Sequence, residues 1–151
     1  MANGRIQKGD PAPDFLISSE GSEPLWLSDF RGNSAVVLFF YPKDDSPACT
    51  AEACAFRDSY KEFQEAGAEV IGISADSRSS HDHFVAKRKL PYRLVSDTDG
   101  SLRKLYGVPK TLGLIAGRAT YVIDRDGIIQ HTFNSQFQPW RHATESLSAL
   151  K

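Results

Sequence analysis

Apolar and polar positions alternate along this chain in two distinct rhythms. Short apolar runs, of which Ala35-Val-Val-Leu-Phe-Phe-Tyr41 is the longest, read as buried strands, while the stretches between them carry apolar residues at helical steps of three and four. Strands are expected at Ala35–Tyr41, Glu69–Ser74, Tyr92–Ser96, Arg118–Asp124 and Ile128–Asn134. Helices are expected at Pro47–Ala66, Ser79–Lys89, Gly100–Tyr106 and Arg141–Leu150. The first two strands, joined by the long helix, make a βαβ crossover, and Asp126-Gly127 makes an antiparallel hairpin of the last two. The pattern therefore specifies an α/β fold, a mixed central sheet flanked by helices. Ahead of it, Asp14–Ser18 and Pro24–Leu27 flank Glu20-Gly21-Ser22 as a small β-hairpin, with Gly9-Asp10-Pro11-Ala12-Pro13 as an extended lead-in.

The long helix holds the most informative residues. Cys49, Ala53, Phe56, Tyr60 and Phe63 form one apolar stripe, so Cys49 faces inward, while Cys54 falls on a neighbouring stripe with Thr50, Arg57 and Lys61, nearer solvent. Ser46-Pro47 reads as an N-cap and first helical residue, which puts Cys49 in the first turn, among unpaired N–H groups at the positive end of the helix dipole. Both influences favour the thiolate, the reactive form. Residues five apart on an ideal helix are separated by about 7.5 Å of rise and about 140° of rotation, so their Cα atoms lie roughly 8.6 Å apart. A disulfide needs less than about 7 Å. If the two cysteines form a redox pair, the helix around them has to unwind. The plainer alternative is that both are small buried hydrophobes, the commonest fate of a free cysteine.

Composition narrows the class. At 151 residues the chain suits a single domain, 1–151, with one core. With 18 basic and 19 acidic residues, and no basic cluster longer than Lys87-Arg88-Lys89, it lacks the charge footprint of a nucleic-acid binder. Met1 to Asp10 lacks an apolar signal core, and Ala35–Tyr41 is too short to span a bilayer, so no membrane association is expected. The cytoplasm is the default compartment, with a plastid open if a transit peptide has been removed.

Other side chains are weighed by the company they keep. Arg118 opens a strand which, paired antiparallel beside Ala35–Tyr41, starts where that run ends, and so comes beside Cys49; its permanent charge would favour the thiolate and its fork could hold a small oxygen-rich substrate. The alternative is a solvated arginine at a strand start. Ser46 is explained as an N-cap, although its hydroxyl also points into the turn of Cys49, and Pro42 by itself merely ends the strand. His81-x-His83 with Asp82 reads as a solvated helix face rather than a metal site, since residues two apart on a helix point in different directions. His131 and His142 lack partners for a nucleophile–base pair or a zinc site, and Gly113 to Gly117 lacks the pattern of a phosphate loop. No metal, nucleotide or other cofactor is assigned.

Taken together, Pro42-x-x-x-Ser46-x-x-Cys49, Cys54 five residues on, and Arg118 opening a late strand resemble a peroxiredoxin of the bacterioferritin-comigratory-protein or peroxiredoxin Q type. Gly9-Asp-Pro-Ala-Pro-Asp-Phe15, Ala55-Phe-Arg-Asp58, Gly117-Arg-Ala-Thr-Tyr-Val-Ile-Asp124 and Asn134-Ser-Gln-Phe-Gln-Pro139 extend the likeness over nearly the whole chain. The resemblance implies a thioredoxin fold with an N-terminal extension, Cys49 as the peroxidatic cysteine, Cys54 as the resolving one, and Pro42, Ser46 and Arg118 completing the pocket. Two positions depart from the pattern: Ser46 stands where the family usually has threonine, and Ala48 where this subgroup often has glycine.

The activity implied is reduction of hydrogen peroxide and organic hydroperoxides through a Cys49 sulfenic acid, which Cys54 resolves as a disulfide for thioredoxin or a related dithiol donor to reopen. A monomer is expected. The chain has neither a Gly-Gly-Leu-Gly stretch nor a Tyr-Phe tail, so resistance to overoxidation is expected too. Two other functions compete: a thiol–disulfide oxidoreductase on the same fold, which usually has two residues between its cysteines, and a non-catalytic holdase or interaction module.

Overall fold

The computed structural model describes residues 6–18, 23–108, 117–135 and 138–150. It opens with an antiparallel hairpin, β1 (Leu16–Ser18) and β2 (Leu25–Trp26), followed by a 3-10 turn at Leu27–Phe30. The expected hairpin is thus present in its strands, while its turn at Glu20-Gly21-Ser22 lies outside the described residues. Then follow β3 (Ala35–Phe40), α1 (Pro47–Asp58), α2 (Tyr60–Glu65), β4 (Ala68–Ser74), α3 (Arg78–Arg88), β5 (Arg93–Ser96), α4 (Ser101–Tyr106), β6 (Ala119–Ile123), β7 (Ile129–Asn134) and α5 (Arg141–Leu150).

Five strands form one sheet in the order β5-β4-β3-β6-β7. β3 pairs parallel with β4 through the α1–α2 crossover and antiparallel with β6. Gly127, at a φ of 81°, turns the β6–β7 hairpin, where Asp124 Oδ1 accepts the Asp126 and Ile128 N–H groups. Every residue of β3 is buried because both faces of this central strand are covered. Val36, Leu38 and Phe40 point to the side packed by Tyr106 and Tyr121. Val37, Phe39 and Tyr41 point to the side packed by Cys49, Ala53, Phe56, Phe63 and Phe84, that is, by α1, α2 and α3.

The expected single helix over Pro47–Ala66 is divided. Ser59, with φ −100° and ψ 5°, ends α1 and begins α2. Asp58 and Ser59 are weak helix formers whose side chains compete for backbone hydrogen bonds, and the chain uses them to turn Tyr60 and Phe63 back onto the sheet. Among the described residues no helix is long and apolar enough to cross a membrane.

Candidate active site

Cys49 is the third residue of α1 and is buried, so the inward stripe points as its spacing requires. The register of the sheet brings its partner. Phe40 at the end of β3 lies opposite Ala119 at the start of β6, which sets the preceding residue, Arg118, against the first turn of α1. Arg118 Nη2 donates to Cys49 Sγ at 3.3 Å.

The other edge of the guanidinium is taken by a residue that the stripe concealed. Arg118 Nη1 donates to Glu52 Oε1, and both side chains are almost wholly buried. Glu52 stands three residues after Cys49 and so shares its helix face. An acid on an otherwise apolar face was the one sequence sign of this pairing. Glu52 Oε2 lies 3.4 Å from Nδ1 of His142, which projects from α5 and is fully buried. The expectation that His142 is isolated is therefore corrected, because its partners come from parts of the chain far from it in sequence. Its Nδ1 is 2.7 Å from Thr120 Oγ1 and its Nε2 is 2.8 Å from Ser135 O.

Burial governs the charges in this row. It pushes the Glu52 carboxyl up to about 8, although the Arg118 charge beside it pulls the other way. Burial likewise presses His142 down to about 4, with the hydrogen bond to Ser135 O opposing. At neutral pH the imidazole is therefore uncharged; its Nε2–H donates to Ser135 O, leaving Nδ1 to accept from the Thr120 hydroxyl. Burial alone would weaken the Arg118 charge, but Glu52 and Cys49 hold it above its ordinary value. Arg118 therefore stays charged, with one edge of its guanidinium on the Glu52 carboxyl and the other on the sulfur of Cys49.

The link from β3 to α1 contains Pro42 and Ser46, both half-buried, and is fastened from beneath by Asp44. The Asp44 carboxylate accepts from Tyr41 Oη, from Ser80 Oγ at 2.8 Å and from His81 Nδ1 at 2.7 Å. Burial opposes its ionisation, but these donors, His81 foremost, hold the carboxyl below the usual range. His81 Nε2 lies 3.1 Å from Val95 O, so an acceptor faces each ring nitrogen. The expectation of a solvated His81–His83 face is corrected here: His83 is exposed, but His81 is buried and ties α3 to the link. Next to it, Asp45 adopts a left-handed φ of 65° and meets Lys87 Nζ at 2.8 Å and Arg88 Nη2 at 3.4 Å.

Ser46 occupies the N-cap position, with φ −71° and ψ 153°, yet its side chain makes no cap bond. Its hydroxyl donates instead to Lys43 O at 3.1 Å, which closes the link on itself. The expected cap is thus present in backbone conformation and absent in hydrogen bonding. Cys54 is half-buried on α1, and both cysteines are free thiols.

The chain is similar to known proteins over nearly its whole length. Residues 8–132 match the AhpC/TSA family. Chloroplastic peroxiredoxin Q of Arabidopsis thaliana is 50% identical over 148 residues, covering 97% of this chain and 68% of its own. That of Sedum lineare is 48% identical over 148 residues, covering 97% and 79%. Among solved structures, peroxidoxin BcpB from Mycobacterium tuberculosis superimposes with a TM-score of 0.85 at 37% identity over 97% of each chain. A cysteine-to-serine mutant of PrxQ from Xylella fastidiosa gives 0.82 at 32% identity, covering 97% of this chain and 96% of its own. The mixed sheet, its flanking helices and these likenesses define a thiol-dependent peroxidase of thioredoxin fold with an N-terminal hairpin. The chain belongs to the AhpC/TSA family, in its peroxiredoxin Q or bacterioferritin-comigratory-protein branch.

Proposed function

We propose that Cys49 is the peroxidatic cysteine and Cys54 its resolving partner, in a single peroxiredoxin domain acting on hydrogen peroxide and organic hydroperoxides. The observation that carries this reading is the donation from Arg118 to the buried sulfur of Cys49. The Cys49 thiolate attacks one peroxide oxygen and the O–O bond breaks, leaving a sulfenic acid on Cys49 and an alkoxide or hydroxide that takes a proton from solvent. The Cys54 thiol then attacks the sulfenic sulfur, a Cys49–Cys54 disulfide forms, and water leaves. Thioredoxin or a related dithiol restores both thiols, becoming a disulfide itself. Attack falls on the more accessible sulfur, that of Cys54.

Arg118 and the N–H groups of the first turn of α1 stabilise charge as the O–O bond lengthens, while Pro42 and Ser46 wall the peroxide against Cys49. The protein acts as a monomer. Relatives named as chloroplastic favour a plastid over the cytoplasm first expected.

Peroxide titration tests the reading. Loss of two thiols per peroxide, abolished by Cys49→Ser, with NADPH consumed when thioredoxin and its reductase are added, is the expected result. A protein that reacts with disulfides but not with peroxide is an oxidoreductase of the competing kind, and one that reacts quickly with neither is a binding module.

A further inference from the structure

The end of α3 and the connection from it to β5 grip α1 on both sides of Cys54. The buried Tyr92 hydroxyl donates to Ala53 O at 2.7 Å, and Arg57 Nη1 donates to Arg88 O at 2.8 Å. The Tyr92 ring stands edge-on to Phe39, with centroids 5.7 Å apart and planes at 77°. Phe39 stacks in turn on Phe56 of α1 at 4.4 Å. Packing therefore fixes the ring and leaves the hydroxyl aimed at one carbonyl. Burial keeps that hydroxyl well above its ordinary ionisation range, so it remains a donor.

Ala53 lies within the segment that a disulfide would close. On a wound helix its carbonyl serves the i to i+4 ladder and spends its second lone pair on the phenol. Drawing the two Cα atoms from roughly 8.6 Å to under about 7 Å takes the intervening residues out of helical geometry, and the Ala53 carbonyl turns with them. A ring held by Phe39 cannot follow.

We propose that Tyr92 is a positioning residue for the resolving step: its bond to Ala53 O keeps α1 wound while Cys49 meets peroxide, and must break before Cys54 reaches the sulfenic acid. The proposal rests on the Cys49–Cys54 reading above. Tyr92 thereby lengthens the life of the sulfenic acid, during which a second peroxide can oxidise that acid to the sulfinic acid and leave as water or alcohol.

The test compares wild type, Tyr92→Phe and Tyr60→Phe under rising hydrogen peroxide, with the sulfinic and disulfide forms of Cys49 counted by mass spectrometry. Tyr60 is the control because its hydroxyl donates to Glu69 Oε1 on β4, at 2.8 Å, and not to α1. Tyr92→Phe leaves the first oxidation of Cys49 unchanged and raises the peroxide needed for half-conversion to sulfinic acid by about fivefold, the worth of one buried hydrogen bond. Tyr60→Phe matches wild type. An unchanged half-conversion point in Tyr92→Phe, or an equal rise in Tyr60→Phe, overturns the proposal. Wild-type protein that forms no Cys49–Cys54 disulfide overturns the underlying reading, and the same spectra record that outcome separately.

Discussion

Arg118 donates to the sulfur of Cys49 across 3.3 Å, although the two residues are 69 positions apart in the chain. Ionisation cannot be the whole of what this contact supplies. A thiol of ordinary pKa, about 8.5, is roughly 3% thiolate at pH 7, so complete ionisation accelerates attack by at most about 30-fold, or about 2 kcal/mol. Removing a donor aimed at transition-state charge costs about a hundredfold to a thousandfold. Arg118→Ala should therefore slow peroxide consumption by more than it lowers the thiolate fraction, the first followed by stopped flow and the second by ultraviolet thiolate absorbance. Equal losses in the two would remove the charge-stabilising role.

Glu52 and His142 impose opposite slopes on stability. Glu52 has a folded value of about 8 against an ordinary 4.5, so its protonated form is favoured by folding, and its contribution is complete at low pH and lost as pH rises towards 8. His142 has a folded value of about 4 against 6.5; its contribution is complete above 6.5 and lost as pH falls towards 4. Between about 6.5 and about 8 only the Glu52 decline remains. Urea midpoints should fall across that interval in wild type and stay flat in Glu52→Gln. A decline of the same size in the variant would assign it to another group.

Asp44 satisfies three donors, and two of them, Tyr41 and His81, are themselves buried. Asp44→Ala strands these groups and should cost about 1–3 kcal/mol in denaturant unfolding for each buried donor left without its acceptor. The link carrying Pro42 and Ser46 loses its fastening as well, so peroxide consumption should fall even at temperatures where the variant is fully folded. A folded variant with wild-type rate would show that the link holds its shape without Asp44.

Ser46 offers a direct contrast with an ordinary helix cap. Replacing a hydroxyl that caps a helix costs about 1 kcal/mol. Here the hydroxyl serves Lys43 O on the surface side of the link, so Ser46→Ala should lower stability by less than about 0.5 kcal/mol. A thermal unfolding shift equal to that of a lost cap would place the hydroxyl on the first-turn N–H groups.

Sequence patterning was most informative where structure is local. The run Ala35–Tyr41 announced the central strand, the stripe through Cys49, Ala53 and Phe56 gave the inward face of α1, and antiparallel pairing of β3 with β6 carried Arg118 to the sulfur. Buried polar residues were legible only in part, because each depends on a partner far along the chain. Glu52 meets Arg118 at a separation of 66 residues, and His81 meets Asp44 at 37, distances over which no periodicity speaks. The divided helix was missed for another reason: its apolar period runs on through Ser59, and weak helix formers mark a break without requiring one. Of the stretch Gly113 to Gly117, only Gly117 lies within the described residues, and its carbonyl accepts from Arg103 Nη1.

The sheet and the helix divide the site between them. Arg118 immediately precedes a strand hydrogen-bonded to β3 and β7, whereas Cys49 belongs to a helical turn. In the proposed cycle, where that turn would unwind to close a Cys49–Cys54 disulfide, the arginine would keep its mooring on the sheet. A returning Cys49 would find its counter-charge already in place, so ordering at each cycle's end would be confined to one short segment, and a strand register laid down once at folding would serve every later turnover.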